Sequence, residues 1–129
     1  MDIQTKQPTT TGDPQYFAGD VFIDRIATDP GRVRANLVRF TPGARNAWHR
    51  HIHGQTLHVV DGIGLVQSRG EAVTVIRAGD TVWTPPGEWH WHGAAPEHYM
   101  THLSITEAPG DDRPETVWGE HVTEAEYPS

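Results

Sequence analysis

Two histidines, His49 and His51, stand two residues apart in the stretch Gly43 to Gly62, GARNAWHRHIHGQTLHVVDG, with Gln55 four residues further on. On an extended chain, residues two apart point to the same face, so both imidazoles enter one space. A third histidine, His90, follows the second Gly- and Pro-marked stretch, GDTVWTPPGEWHWH. Three imidazoles and one oxygen donor form a site for Mn, Fe, Ni or Zn with positions left open for a substrate. Taken alone, His-x-His also reads as two surface histidines on a polar turn. The second stretch is what completes a ligand set. Neutral glutamine at position 55 leaves the full charge on a divalent ion, whereas glutamate would cancel part of it, which makes the ion a stronger Lewis acid.

The elements that must position these residues are short strands. Runs at Tyr16–Ala27, Val33–Thr41, Gln55–Val60, Leu65–Ser68, Ala72–Arg77, Thr81–Thr84 and Tyr99–Thr106 are separated by Gly, Pro and Asp turns. That density predicts an all-β sandwich or barrel, with a hairpin at Asp61–Gly64 and a turn at Ala78–Asp80. Val33–Thr41 alternates Arg34, Asn36, Val38 and Phe40 against Val33, Ala35, Leu37 and Arg39. Asn36 and Val38 are candidate pocket wall, and Asn36 reads equally as a solvated strand residue. His58 falls on the face opposite Gln55. The polar residues 1–14, broken by Pro8, Gly12 and Pro14, form a flexible arm suited to pairing with a neighbouring sheet edge. Residues 15–107 make the barrel, and 108–129 an extension packed on it. Its Ala108–Glu115 part reads as a solvated connection, and Thr123 with Glu126 three residues later predicts one capped helical turn.

At 129 residues with a formal charge of −7, the chain is one domain that fits neither nucleic acid nor an anionic membrane as partner. The absence of cysteine excludes a disulfide framework and thiolate ligands, so a metal is held by nitrogen and oxygen. No signal-peptide core or membrane-length apolar run is present, which makes a cytoplasmic protein the expectation.

Gly43, five residues, His49-x-His51, three residues, Gln55, six residues, Gly62 resembles the first cupin motif. Glutamine stands where most cupins carry glutamate. Gly79, five residues, Pro85-x-Gly87, two residues, His90 resembles the second, with Ala94 in place of its final asparagine. The resemblance implies a single-domain cupin barrel, a double-stranded β-helix or jelly roll. The runs around Ala47-Trp48-His49, Gly54-Gln55-Thr56-Leu57, His90-Trp91-His92-Gly93-Ala94-Ala95-Pro96 and Met100-Thr101-His102-Leu103 are similar to the small bacterial cupin hydroxynitrile lyases that use manganese. That resemblance implies metal ligands at His49, His51, Gln55 and His90, Mn2+ as cofactor with Fe2+, Ni2+ or Zn2+ as substitutes, and His102 as the proton acceptor. Asn46 replaces a threonine near the metal, and Thr106 a longer polar side chain at the pocket wall. By its residues alone, His102 reads as a buried histidine satisfied by a backbone carbonyl. With an unperturbed pKa near 6.5 it is suited to acid-base work at neutral pH.

The expected function is reversible cleavage of a cyanohydrin, with a small carbonyl compound, aromatic or not, as the other partner. The same site is equally able to serve a dioxygenase, an isomerase, a polyketide cyclase or a non-catalytic ligand-binding cupin. His92 shares a face with His90 and is assigned to the pocket or to orienting a ligand. His53, His98 and His121 read as surface residues, Arg45 and Arg50 as a solvated rim, and Trp48, Trp83, Trp89 and Trp91 as packing, with one or two of them walling the pocket. By analogy with cupins of this size, a homodimer or homotetramer is expected.

Overall fold

The computed structural model describes residues 1–128, which fold as an all-strand, curled antiparallel sheet. In chain order the strands are β1 Thr10–Thr11, β2 Phe17–Ala18, β3 Val21–Ala27, β4 Val33–Phe40, β5 Arg45–Asn46 and β6 His49–His51. They continue as β7 Gln55–Ser68, β8 Thr74–Arg77, β9 Thr81–Thr84, β10 His90–Ala94, β11 Met100–Glu107 and β12 Thr116–Trp118. One half carries β1-β3-β4-β11-β7-β9, and the other carries β7-β10-β5-β2 with β6, β8 and β12 attached. No helix among the described residues is long and apolar enough to cross a membrane.

The alternation in β4 sorts its side chains as the pattern requires. Val38 and Phe40 are buried, while Val33 on the other face is exposed. The inward rows of β3, β4, β7 and β11 supply the main core of Val21, Val38, Phe40, Leu57, Val59 and Met100, closed by Ala44, Ile76 and Ala94. A second cluster of Trp48, Leu65, Trp91, Val122 and Tyr127 lies where the C-terminal extension covers the other half. Burying large aromatic area there fastens a segment that has little regular structure of its own.

The hairpin expected at Asp61–Gly64 does not form. β7 runs unbroken through it, pairing β11 and β9 with its first part and β10 and β8 with its second. Gly62 takes φ +87° two residues after a register shift in the pairing with β11, where Val60 is the extra residue, and this bulged stretch carries one strand from one half of the sheet into the other. A Cβ at Gly62 would fall on the carbonyl oxygen of Tyr99. Gly62→Ala is therefore expected to destabilise the protein by about 2 kcal/mol or more, through both the left-handed backbone and the clash. Urea denaturation measures it; an unchanged midpoint would refute the bulge.

Other expectations also shift. The N-terminal arm meets a sheet edge of its own chain, with Thr10 opposite Ile23 and Thr11 opposite Phe22. At the C-terminus, Thr123 N–H donates to Glu126 at 2.9 Å and Glu126 N–H to the Thr123 hydroxyl at 3.1 Å. These reciprocal bonds close a single turn that does not extend into a helix. Arg45 is no rim residue. It is 9 % exposed, its guanidinium lies 4.2 Å from the Tyr127 ring centre, and it pairs with Glu124 at 3.0 Å. Arg50 is exposed over Trp89.

Candidate metal centre

β6, the start of β7 and the start of β10 converge on one point inside the barrel. His49 pairs with His90 in register, which sets their rings 4.2 Å apart, and His51 follows on the same face of β6. Ligand atoms of His49, His51 and His90 all lie within 4.8 Å of one another, and all three residues are buried. Together they form a group that could hold a metal ion.

The hydrogen bonds behind the rings decide which nitrogens are free. His49 Nδ1 donates to the Ala47 carbonyl at 2.8 Å and His90 Nδ1 to the Glu88 carbonyl at 3.0 Å. His51 Nδ1 donates to both oxygens of Glu115 at 3.1 Å. Each Nε2 is thereby left as a lone pair. His51 Nε2 is buried without any partner. Gln55 Nε2 donates to the Ser104 hydroxyl at 2.9 Å, which turns its Oε1 to within 3.1 Å of His90 Nε2. Two lone-pair atoms facing each other, beside an unsatisfied buried nitrogen, are a cluster of acceptors without a donor. A cation among them removes both faults, so the residues present fit a divalent metal held by nitrogen and oxygen.

Electrostatics point the same way. Burial pushes His49 well below the ordinary histidine value, with its histidine neighbours adding to the effect, and takes His90 down to about 4. Both are neutral and competent as ligands at neutral pH. Burial acts to raise the Glu115 carboxyl, but the His51 hydrogen bond and the Thr116 hydroxyl outweigh it, and the net shift is downward. Glu115 therefore stands ionised behind His51. Removing that charge in Glu115→Gln is expected to weaken metal binding about 10- to 100-fold. Competition with a chelator measures the change, and an unaltered affinity would remove Glu115 from the site.

A second pair of imidazoles shares the cavity. His102 Nε2 and His92 Nδ1 are 3.0 Å apart, both rings are buried, and His102 Nδ1 has no partner. Asn46 Oδ1 accepts the His92 backbone N–H at 2.9 Å, so its Nδ2 faces the His92 ring at 3.2 Å. The value near 6.5 expected for His102 does not hold: burial lowers it to about 3. His92 falls well below its ordinary value, chiefly by burial and then by the charge His102 would carry. Groups whose folded pKa is depressed resist protonation that the unfolded chain accepts. Stability is therefore full above the ordinary 6.5 and is lost as pH falls towards 4 and 3. Melting of metal-free protein is expected to move to lower temperature between pH 7 and 5, and a flat profile there would contradict this burial.

The cavity, about 480 Å³, is lined by Asn36, Val38, His92 and Thr106 as well as by Asn46, His49, His51, Gln55 and His102. None of Trp48, Trp83, Trp89 and Trp91 lines it. Its tryptophan is Trp118, whose ring centre lies 4.8 Å from that of His49. Trp118, Glu115 and Ser104 went unnoticed in the sequence. The first two come from the extension after β11, where only contact with β6 reveals them. Ala108–Glu115 is consequently not solvated throughout, since Glu115 reaches His51 and the half-buried Pro109 carbonyl accepts from His53 at 3.3 Å. His58 bonds the Thr81 hydroxyl at 2.8 Å on the outer face.

Comparison with known proteins places this geometry. The family described as "Cupin domain" matches residues 36–106. An (R)-mandelonitrile lyase of Granulicella tundricola is 49 % identical over 123 residues, covering 94 % of this chain and 92 % of that protein. A cupin-like protein of Thermotoga maritima superposes with a TM-score of 0.86 at 36 % identity, over 98 % of this chain and 95 % of that one. A polyketide cyclase of Streptomyces resistomycificus superposes at 0.73 with 16 % identity, over 99 % and 89 %, and shares the fold alone.

Proposed function

This chain belongs to the cupin family, and from that premise we propose that it is a metal-dependent lyase that cleaves or forms cyanohydrins. The observation that carries the reading is the His92–His102 pair opening on the same cavity as His49, His51 and Gln55, which cluster with His90 behind them. The 49 % identity to an (R)-mandelonitrile lyase supports the choice of reaction. The donor set suits Mn2+, Fe2+, Ni2+ or Zn2+, and the resemblance of the motifs favours manganese. A divalent ion held by His49, His51, Gln55 and His90 would act as a Lewis acid on a hydroxyl or carbonyl oxygen.

The chain's own residues supply proton transfer and positioning. In the cleavage direction His102 takes the cyanohydrin hydroxyl proton and shares it through its Nε2 with His92 Nδ1. The carbon–carbon bond breaks, its electron pair leaves with cyanide, and the carbonyl compound forms. Cyanide then recovers the proton as hydrogen cyanide. Because burial keeps His102 neutral down to about pH 3, it starts as a free acceptor and its conjugate acid gives the proton up readily. Asn46 orients His92, and Phe40, Val38 and Trp118 exclude water around the carbon skeleton.

The test is release of benzaldehyde from racemic mandelonitrile by manganese-loaded protein beside metal-free protein, with spontaneous decay subtracted. Enantioselective turnover that requires the metal is the expected result. Turnover no faster than decay would sink the lyase reading. Assembly as a homodimer or homotetramer belongs to the same proposal, supported by Phe22, Ile26 and Trp83 standing exposed on the outside of the sheet.

A further inference from the structure

The cavity has a charged lip facing the histidines. Ser104, Asn36 and Arg25 lie in one row across β11, β4 and β3, and Thr106 and Arg34 form the next row outward. All five side chains line the cavity. Ser104 is the residue that holds Gln55, so the row begins at the candidate metal centre and ends on a cation. Two strand spacings put the Arg25 backbone about 10 Å from that of Ser104.

The charges along this wall are unequally matched. Arg34 is taken up by Asp29 and by the Gly31 carbonyl at 2.6 Å. Glu115, the other acid lining the cavity, is taken up by His51 and Thr116. Arg25 has neither an ion pair nor a side-chain hydrogen bond among the described residues, although it turns to the cavity on the same face as Val21 and Ile23. Arg25 is exposed, so in a chain of net charge −7 it stands as an unpaired cation at the mouth of the cavity. Between the lip and the histidines the wall is apolar and aromatic. It is built by Ile23, Val38, Phe17, Phe40 and Trp118, with Trp118 held by Tyr16 stacked on it at 4.5 Å.

We infer that the cavity takes a carbonyl or hydroxy compound with a flat apolar body and an anionic oxygen group, a carboxylate, at the end remote from the reacting oxygen, with Arg25 as the anion's partner and Arg34 beside it. A volume of about 480 Å³ is that of a pocket for such a two-ended ligand. Charge at the remote end supplies affinity and fixes which face of the carbonyl meets His102. This inference rests on the reading of the site as one for carbonyl compounds.

Calorimetric titration of metal-loaded protein with benzaldehyde, 4-carboxybenzaldehyde, its methyl ester and 4-formylphenyl phosphate tests it. The carboxylate is expected to bind about 10-fold more tightly than the ester, a modest factor because the arginine is partly screened by water. The advantage should disappear in Arg25→Gln, return in part in Arg25→Lys, and shrink in Arg34→Gln, with melting temperature as the check on folding. A phosphate ester preferred over the carboxylate, with the same dependence on Arg25, upholds the anion site and assigns a phosphate monoester to it. Benzaldehyde and the ester binding as well as the acid would overturn the inference and leave the lyase reading standing. An advantage that survives in Arg25→Gln would overturn it as well, because the anion is then held elsewhere. No binding of any of the four would overturn both.

Discussion

The His49→Ala plus His51→Ala double variant is expected to contain no more than trace metal, where the parent protein, loaded with manganese and desalted, holds close to one ion per chain. The cause is the donor count. His49 and His51 supply two of the three imidazoles that meet within 4.8 Å, and the remaining His90 and Gln55 cannot hold an exchangeable divalent ion against water. Turnover of mandelonitrile should fall to the rate of spontaneous decay, since without the Lewis acid the buried neutral imidazoles have no means of making the hydroxyl acidic. Elemental analysis of the desalted variant reads the first effect without depending on activity. Full metal retention would refute the assignment of the ligands. Turnover by a metal-free variant would refute the mechanism while leaving the ligands in place.

The second large effect is separable from the first. His102→Ala is expected to lower kcat by about 100- to 10,000-fold, the usual worth of a positioned acid-base group, with metal content unchanged. His102 is not part of the cluster. Its Nε2 is 3.0 Å from His92 Nδ1, and its Nδ1 has no partner, so its removal strips a proton acceptor and leaves the donors intact. A merely structural histidine would give a different result: reduced stability, altered metal content, and kcat within a few-fold once the protein is folded and loaded. Measuring metal content, melting temperature and kcat on the same preparation distinguishes the two. Unimpaired kcat would transfer the proton to His92 or to water.

The convergence of His49, His51 and His90 was legible because its spacing is local. His49 and His51 share a face by the two-residue period of a strand, and the Gly- and Pro-marked turns announce where strands stop. The all-β class was legible for the same reason. What was not legible depends on partners distant in sequence. Glu115 reads as a loop acid until β12 lies beside β6, and Ser104 as an ordinary strand serine until Gln55 reaches it. The basicity of His102 could not be read at all, because it is set by burial, which belongs to the packed barrel and not to the Thr-His-Leu run. Gly62 misled in an instructive way. Asp-Gly followed by Ile-Gly is good hairpin chemistry, yet positive φ serves a bulge as well as a turn, and the local sequence cannot choose between them. Arg45 misled because arginine is read as solvated by default, whereas here Tyr127 and Glu124 come from the C-terminus to cover it.

The unbroken β7 has a bearing on how the molecule comes apart. It is flanked on both edges along most of its length, by β9 and β11 before the bulge and by β8 and β10 after it, so neither half of the sheet can open while keeping this strand intact. Its backbone amides are expected to be among the slowest to exchange with solvent deuterium. Gln55 is the first residue of that strand, and His90 begins one of its neighbours. Two of the four residues assigned to the metal thus stand on or beside the best-paired strand, whereas Arg25 and Asp29 at the lip lie on β3 and just after it, where only the two-residue β1 covers the outer side of the sheet and a ligand can enter without disturbing the centre.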